Sequence, residues 1–141
     1  MFARDAAAHS LAMVIEEVGP GFARLAMTVT PAMLNGHDYA HGGFIFTLAD
    51  TAFAYACNSY DRATVGQNAT ISYVAPGRAG QRLTAVARER HRTGRTGVYD
   101  VEVTGESGET LALFRGTSYE IGGPIIEKLL LDDGGGERSG L

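Results

Sequence analysis

The stretch that decides the architecture is residues 42–59, GGFIFTLADTAFAYACNS. It is rich in alanine, contains no proline and is apolar almost all the way round, so it reads as the one long helix of the chain. A helix that is apolar on every side must be buried on every side. That calls for a sheet wrapped around it, with one face left for a partner subunit.

Outward from this helix the rest of the chain reads mainly as strands. On its N-terminal side, residues 11–17 and 22–30 flank Gly19-Pro20-Gly21, the punctuation of a hairpin, and residues 3–10 (ARDAAAHS) suit a short helix. Phe22, Leu25, Met27 and Val29 lie mostly on alternate positions, as a half-buried strand requires. On its C-terminal side, strands are predicted at 64–75, 80–92, 97–104 and 109–121, separated by turns at Pro76-Gly77, Gly94–Gly97 and Glu106-Ser107-Gly108. Tyr99, Val101 and Val103 alternate with Asp100 and Glu102, a pattern with one buried face. Strand, strand, long helix and four more strands imply an α+β fold, an antiparallel β-sheet around one long central helix. One helix cannot cover both faces of six strands, so a dimer is expected. Residues 1–126 form the single domain of this reading, and 127–141, ending DDGGGERSGL, a frayed tail.

Composition narrows the function. The formal net charge is -4 and the pI is near 5.5, without the basic excess of a nucleic-acid binder. No apolar run approaches the roughly 20 residues of a membrane helix. The first ten residues, MFARDAAAHS, carry Asp5 and no apolar core of a secretory signal, so a cytoplasmic location is expected. The single cysteine, Cys57, makes no intramolecular disulfide and cannot build a cysteine zinc site alone. On an apolar helix it reads as packing.

Three places carry chemistry: Asn35, the His41-Gly42-Gly43 step, and Asp50. Two glycines at a helix start permit close approach, and first-turn amides have no intrahelical acceptor. Such amides suit a carbonyl oxygen that gains negative charge in a transition state, although an ordinary loop-to-helix junction looks the same. Asp50 has apolar or small neighbours and no Lys or Arg one turn away. It is either a functional carboxylate with a raised pKa or a structural one, bonded to Thr47 or Thr51 or placed at a polar dimer seam. Gly42 and Asp50 are eight residues apart, about 12 Å along a helix axis at ~1.5 Å per residue, too far to act on one carbonyl. A second helix running antiparallel would bring its Asp50 beside the first Gly42, so a composite site in a symmetric dimer follows from distance. Asn35 could hold water or substrate with its amide, or serve as the turn residue before Gly36. His41 could cap the helix or line the site. His37, Asp38 and His41 form no convincing metal site, because no fourth ligand is in view.

The string N-G-H-x-x-x-H-G-G-F-I-F-T-L-A-D-T-A-F-A, with the later FRGTSYEIGGPII, resembles the PaaI-like (phenylacetic acid degradation) hot-dog thioesterases over roughly residues 8–126. The resemblance implies a hot-dog fold and hydrolysis of an aryl-acetyl-CoA or related acyl-CoA. It implies Asp50 as general base or nucleophile, the Gly42 amide as the group that polarises the thioester, and Asn35 as the residue that orients water or substrate. It also implies a shared site across a homodimer, two such dimers assembling together, and no metal or cofactor beyond the coenzyme A of the substrate. Some relatives place a Ser or Thr on the strand after the helix; here Gly66 stands at that position, with Thr64 and Asn68 close by, and the role is assigned to none of them. His41 and Gly43 are candidate substrate contacts. Arg88, Arg90 and Arg92, read as one face of a strand, with Arg95 in the following turn, could hold the phosphates of coenzyme A, or could form a charged solvent face. Two rival readings share the fold: an enoyl-CoA hydratase, which needs a histidine that does not follow Asp50, and a non-catalytic acyl-CoA-binding module.

Overall fold

The computed structural model describes residues 1–123 and Ile125; the expected tail at 127–141 lies outside the described residues. Six strands, β1 (Val14–Gly19), β2 (Phe22–Thr28), β3 (Thr64–Tyr73), β4 (Arg82–Thr93), β5 (Thr96–Thr104) and β6 (Thr110–Glu120), form one antiparallel sheet in the order β1-β2-β4-β5-β6-β3. The helix α2 (Gly42–Cys57) lies against one face of this sheet. The order and the central helix are those expected of a hot-dog fold.

The helix settles close to the sheet because its sheet-facing positions are small. Ala49, Ala52 and Ala56 are fully buried beside Leu48, and they face Leu83, Ala85, Ala87, Val101 and Val103 from the strands. Phe53 is the largest plug in this layer, with its ring 5.6 Å from that of Tyr99 and 5.8 Å from that of Phe114. Its slot exists because position 116 of β6 is glycine, where a Cβ would stand 2.8 Å from the Phe53 ring. Truncating an aromatic plug of this kind costs about 3–5 kcal/mol.

The predicted strands hold, with ends moved by identifiable causes. The first strand begins at Val14 rather than at residue 11, because the short helix α1 (Ala6–Ser10) ends in a turn through Leu11 and Ala12, the latter at φ +52°. Asp5 caps α1 by accepting from the Ala8 amide at 3.1 Å and also accepts from the Tyr55 hydroxyl at 3.0 Å, which pins the N-terminal segment to α2. Residues 2–4 form a separate 3-10 turn. The central helix stops at Cys57, two residues early, because the Asn58 side chain donates to the carbonyls of Ala54 and Thr64 and accepts from the Thr64 amide. That knot turns the chain directly into β3.

The two edges of the sheet differ. At β1 a bulge between Ile15 and Glu17 and the acidic pair Glu16 and Glu17 blunt the open edge. At β3, ten residues, TVGQNATISY, carry no charge at all and are interrupted by one bulge at Gln67. Val65 and Tyr73 on this strand, and Val74 just beyond, are exposed. An uncharged, unpaired edge of this length is a template for pairing with another strand.

Candidate active site

The head of α2 is held from three sides. The His41 amide donates to Met33 O and the Ala40 amide to Gly77 O, both at 2.8 Å, and these bonds fasten the entering loop to its neighbours. His41 itself is the N-cap, in extended conformation. Of the four amides that open the helix, three have acceptors. Gly43 N–H donates to His41 Nδ1 at 2.9 Å, while Phe44 and Ile45 N–H donate to His41 O at 3.0 and 3.4 Å. The Gly42 N–H alone has no protein acceptor among the described residues. This narrows the sequence reading: the amide of Gly43 is occupied by the His41 ring, so both of these candidate substrate contacts serve the cap.

Gly42 opens on a cleft of about 460 Å³ lined by Asn35, Tyr39, Gly42, Ile45, Tyr73 and Pro76. Asn35 takes its turn role here and leaves its amide nitrogen in the cleft wall. Its Oδ1 accepts from the amides of His37 (2.9 Å) and Tyr39 (3.2 Å), the turn role, and these two donors fix which end of the side chain is oxygen. The Nδ2 group has no acceptor among the described residues and remains a donor in the cleft wall. Tyr73 was not singled out by sequence. Its hydroxyl donates to Gly42 O at 2.8 Å, and a Cβ at position 42 would stand 2.9 Å from its ring. No local pattern could have revealed this contact, because the two residues are 31 positions apart.

Asp50 stands on the same uninterrupted helix, eight residues beyond Gly42, so the separation of about 12 Å holds in the structure. The Thr47 and Thr51 alternative for this residue is removed: Thr47 donates to Gly43 O at 2.8 Å and Thr51 to Thr47 O at 2.6 Å, each bonding back along its own helix. Asp50 has neither a hydrogen bond nor an ion pair among the described residues. Its carboxylate is solvent-accessible in the single chain, yet the apolar helix surface around it removes enough water to raise its pKa above the ordinary carboxylate value. Gly66, at the strand position where some relatives carry a hydroxyl, packs against Phe53 instead, and the Thr64 hydroxyl is spent on Arg62 O.

The arginines do not lie on one face, and this corrects the strand reading. A bulge between Glu89 and His91 inserts Arg90 as an extra residue and reverses the alternation beyond it. Arg88 stacks over Phe22 (4.9 Å) and Arg90 pairs with Asp100 (3.5 Å), both on the sheet face turned away from the helix. Arg92 crosses to the helix side, over the Tyr60 ring at 3.7 Å and beside Glu89 at 3.3 Å. Arg95 follows in the turn and lines a small recess with Arg62, Arg92 and Tyr60. His37, Asp38 and His41 do not converge on a cation position among the described residues.

A sheet folded on one helix, with an amide at the helix head and a carboxylate two turns on that both lack partners among the described residues, defines a hot-dog protein equipped for chemistry at a carbonyl. Residues 37–112 match the family model of the thioesterase superfamily. The chain is 52% identical over 125 residues to the acyl-coenzyme A thioesterase PaaI of Escherichia coli, covering 89% of each. It belongs to the thioesterase superfamily. The solved structure of E. coli PaaI matches with a TM-score of 0.87 over 88% of this chain and 90% of that one. A hypothetical thioesterase from Streptococcus pneumoniae, solved with coenzyme A, matches at 27% identity and a TM-score of 0.76 over 79% of this chain and 88% of that one.

Proposed function

We propose that this protein is an acyl-CoA thioesterase acting on an aryl-acetyl-CoA or a related acyl-CoA. The observation that carries the reading is the Gly42 N–H at the head of a cleft, together with the Asp50 carboxylate on the same helix, both without a partner among the described residues. The thioester carbonyl accepts from Gly42 N–H, and Asn35 Nδ2 orients water or the substrate. By one route Asp50 takes a proton from water as its oxygen bonds to the carbonyl carbon. The tetrahedral intermediate then collapses, the C–S bond breaks, and the thiolate of coenzyme A recovers the proton. By the other, Asp50 attacks directly, expels the thiolate and forms a mixed anhydride that water hydrolyses. Neither route needs a metal or a further cofactor.

The 12 Å separation requires that the Asp50 acting on a given Gly42 come from a second copy. The uncharged β3 edge is the surface on which that copy pairs, giving a homodimer with two composite sites. Pairs of such dimers follow from the resemblance, and a cytoplasmic setting is the expectation from composition. The similarity to E. coli PaaI supports the acyl-CoA substrate and leaves the acyl group to experiment. Thiol release over a panel of aryl and aliphatic acyl-CoAs tests the reading. Asp50→Ala should lower kcat by orders of magnitude in a folded dimer; full activity in that variant, or a monomeric mass for the active enzyme, overturns it.

A further inference from the structure

Arg88, Arg90 and Arg92, picked out by sequence, are poorly placed for the Gly42 cleft of their own chain. Arg88 and Arg90 lie on the outer face of the sheet, and Arg90 and Arg92 already have carboxylate partners. Arg78 is placed differently. It follows Pro76 and Gly77 of the cleft wall, and its guanidinium lies 5.1 Å from the centroid of Tyr39, another wall residue. It has no carboxylate partner among the described residues. A guanidinium parked on an aromatic face keeps its N–H edge free for an anion.

The same dimer geometry that joins Gly42 to Asp50 supplies a second cation. Two contacts fix how α2 lies along β3: Tyr73 bonds to Gly42, and Phe53 packs on Gly66. If Gly42 meets the partner's Asp50, the twofold axis passes midway between them, beside Phe46. Position 46 is four of the eleven helix steps from 42 to 53, which covers about two and a half of the seven strand steps from 73 to 66. The axis therefore crosses β3 near Thr70 and Ile71, and antiparallel pairing about it aligns residues whose numbers sum to about 141. Carried past the strand ends, the same register brings the start of the partner's β3 toward Gly77, and Arg62 of the partner subunit, two residues before it, toward Arg78. Arg62 is exposed, likewise lacks a carboxylate partner among the described residues, and shares its recess with Arg92 and Arg95. Glu120 lines that recess too, without pairing to any of the three.

We propose that the phosphates of the coenzyme A portion of the substrate are gripped at the mouth of the Gly42 cleft by Arg78 and by Arg62 of the partner subunit. The proposal rests on the acyl-CoA reading above. Phosphate oxygens on two guanidinium groups form charge-assisted, often bidentate bonds, and a grip built from both copies couples binding to the dimer that completes the site.

The test compares one acyl group on two carriers, coenzyme A and N-acetylcysteamine, the second having no phosphate. The wild-type preference, expressed as the ratio of kcat/KM for the two thioesters, should fall about ten- to hundredfold in Arg78→Ala and in Arg62→Ala, the range for losing a hydrogen bond to a charged group. The loss should sit in KM for the acyl-CoA, and Arg78→Lys should recover part of it. A ratio within twofold of wild type in either variant overturns the grip. Failure of the underlying reading looks different: the wild-type protein itself releases no thiol from either thioester.

Discussion

Replacing Gly42 with proline removes one hydrogen atom from the proposed site, and the structure says what else it should disturb. Gly42 is the first residue of α2, and its N–H has no acceptor among the described residues to lose. Proline is favoured at that position, since its fixed φ suits the first helical turn and its missing N–H is one of the orphans. It also demands an extended residue before it, which His41 already is, at ψ 134°. The remaining cost is steric, because any Cβ at 42 stands 2.9 Å from the Tyr73 ring. That ring is half-exposed and can swing aside, but the disturbance must be controlled for. Gly42→Ala is the control: it introduces the same Cβ and keeps the amide. Removing a single oxyanion donor costs about 10²–10³ in kcat, or about 2.7–4 kcal/mol. We expect Gly42→Pro to fall below Gly42→Ala by that factor, measured by thiol release at saturating acyl-CoA, with the dimer intact and the melting temperature close to that of the alanine variant. A proline variant within threefold of the alanine one would falsify the role of this amide.

Three further outcomes follow from the same geometry. Mixing and reassociating equal amounts of Gly42→Pro and Asp50→Asn should restore about a quarter of wild-type activity, because half the dimers are mixed and one of the two sites in each is intact; activity no higher than the mean of the two parents would show that the site lies within one chain. Burial raises the Asp50 pKa in the folded state, so the folded protein holds this proton more tightly than the unfolded chain and loses stability as pH rises through the raised value. Asp50→Asn should therefore melt higher than wild type at neutral pH, with the gain fading below about pH 4, where both states are protonated; a lower melting temperature at neutral pH contradicts the assignment. The Cys57 thiol is buried and pushed up to about 12, chiefly by desolvation, so at pH 8 it should resist a disulfide-exchange reagent until the protein unfolds. Rapid labelling of the native protein would place it elsewhere.

How much of this was legible beforehand depends on whether the cause was local. The apolar run of 42–59, the Gly-Gly start and the alternation through Tyr99, Val101 and Val103 are short-range patterns, and each became the element it announced, the helix ending at Cys57. The separation of Gly42 from Asp50 is likewise local, because a helix has a fixed rise, so the need for two chains could be argued before any coordinates. The one-face reading of Arg88, Arg90 and Arg92 failed for a reason invisible in one strand: the bulge at Arg90 exists only against β5, and it turns Arg92 to the opposite face.

The sequence by itself therefore determined the kind of elements, their order, and the two groups on which the proposed chemistry rests. Which helix-head amide remains free was decided only in three dimensions, because the His41 ring had to be seen accepting from Gly43. The same holds for Tyr73 beside Gly42, 31 residues away, and for Arg78 over Tyr39 at the cleft mouth. Local periodicity records which face of an element is buried; it carries no record of which distant side chain arrives there.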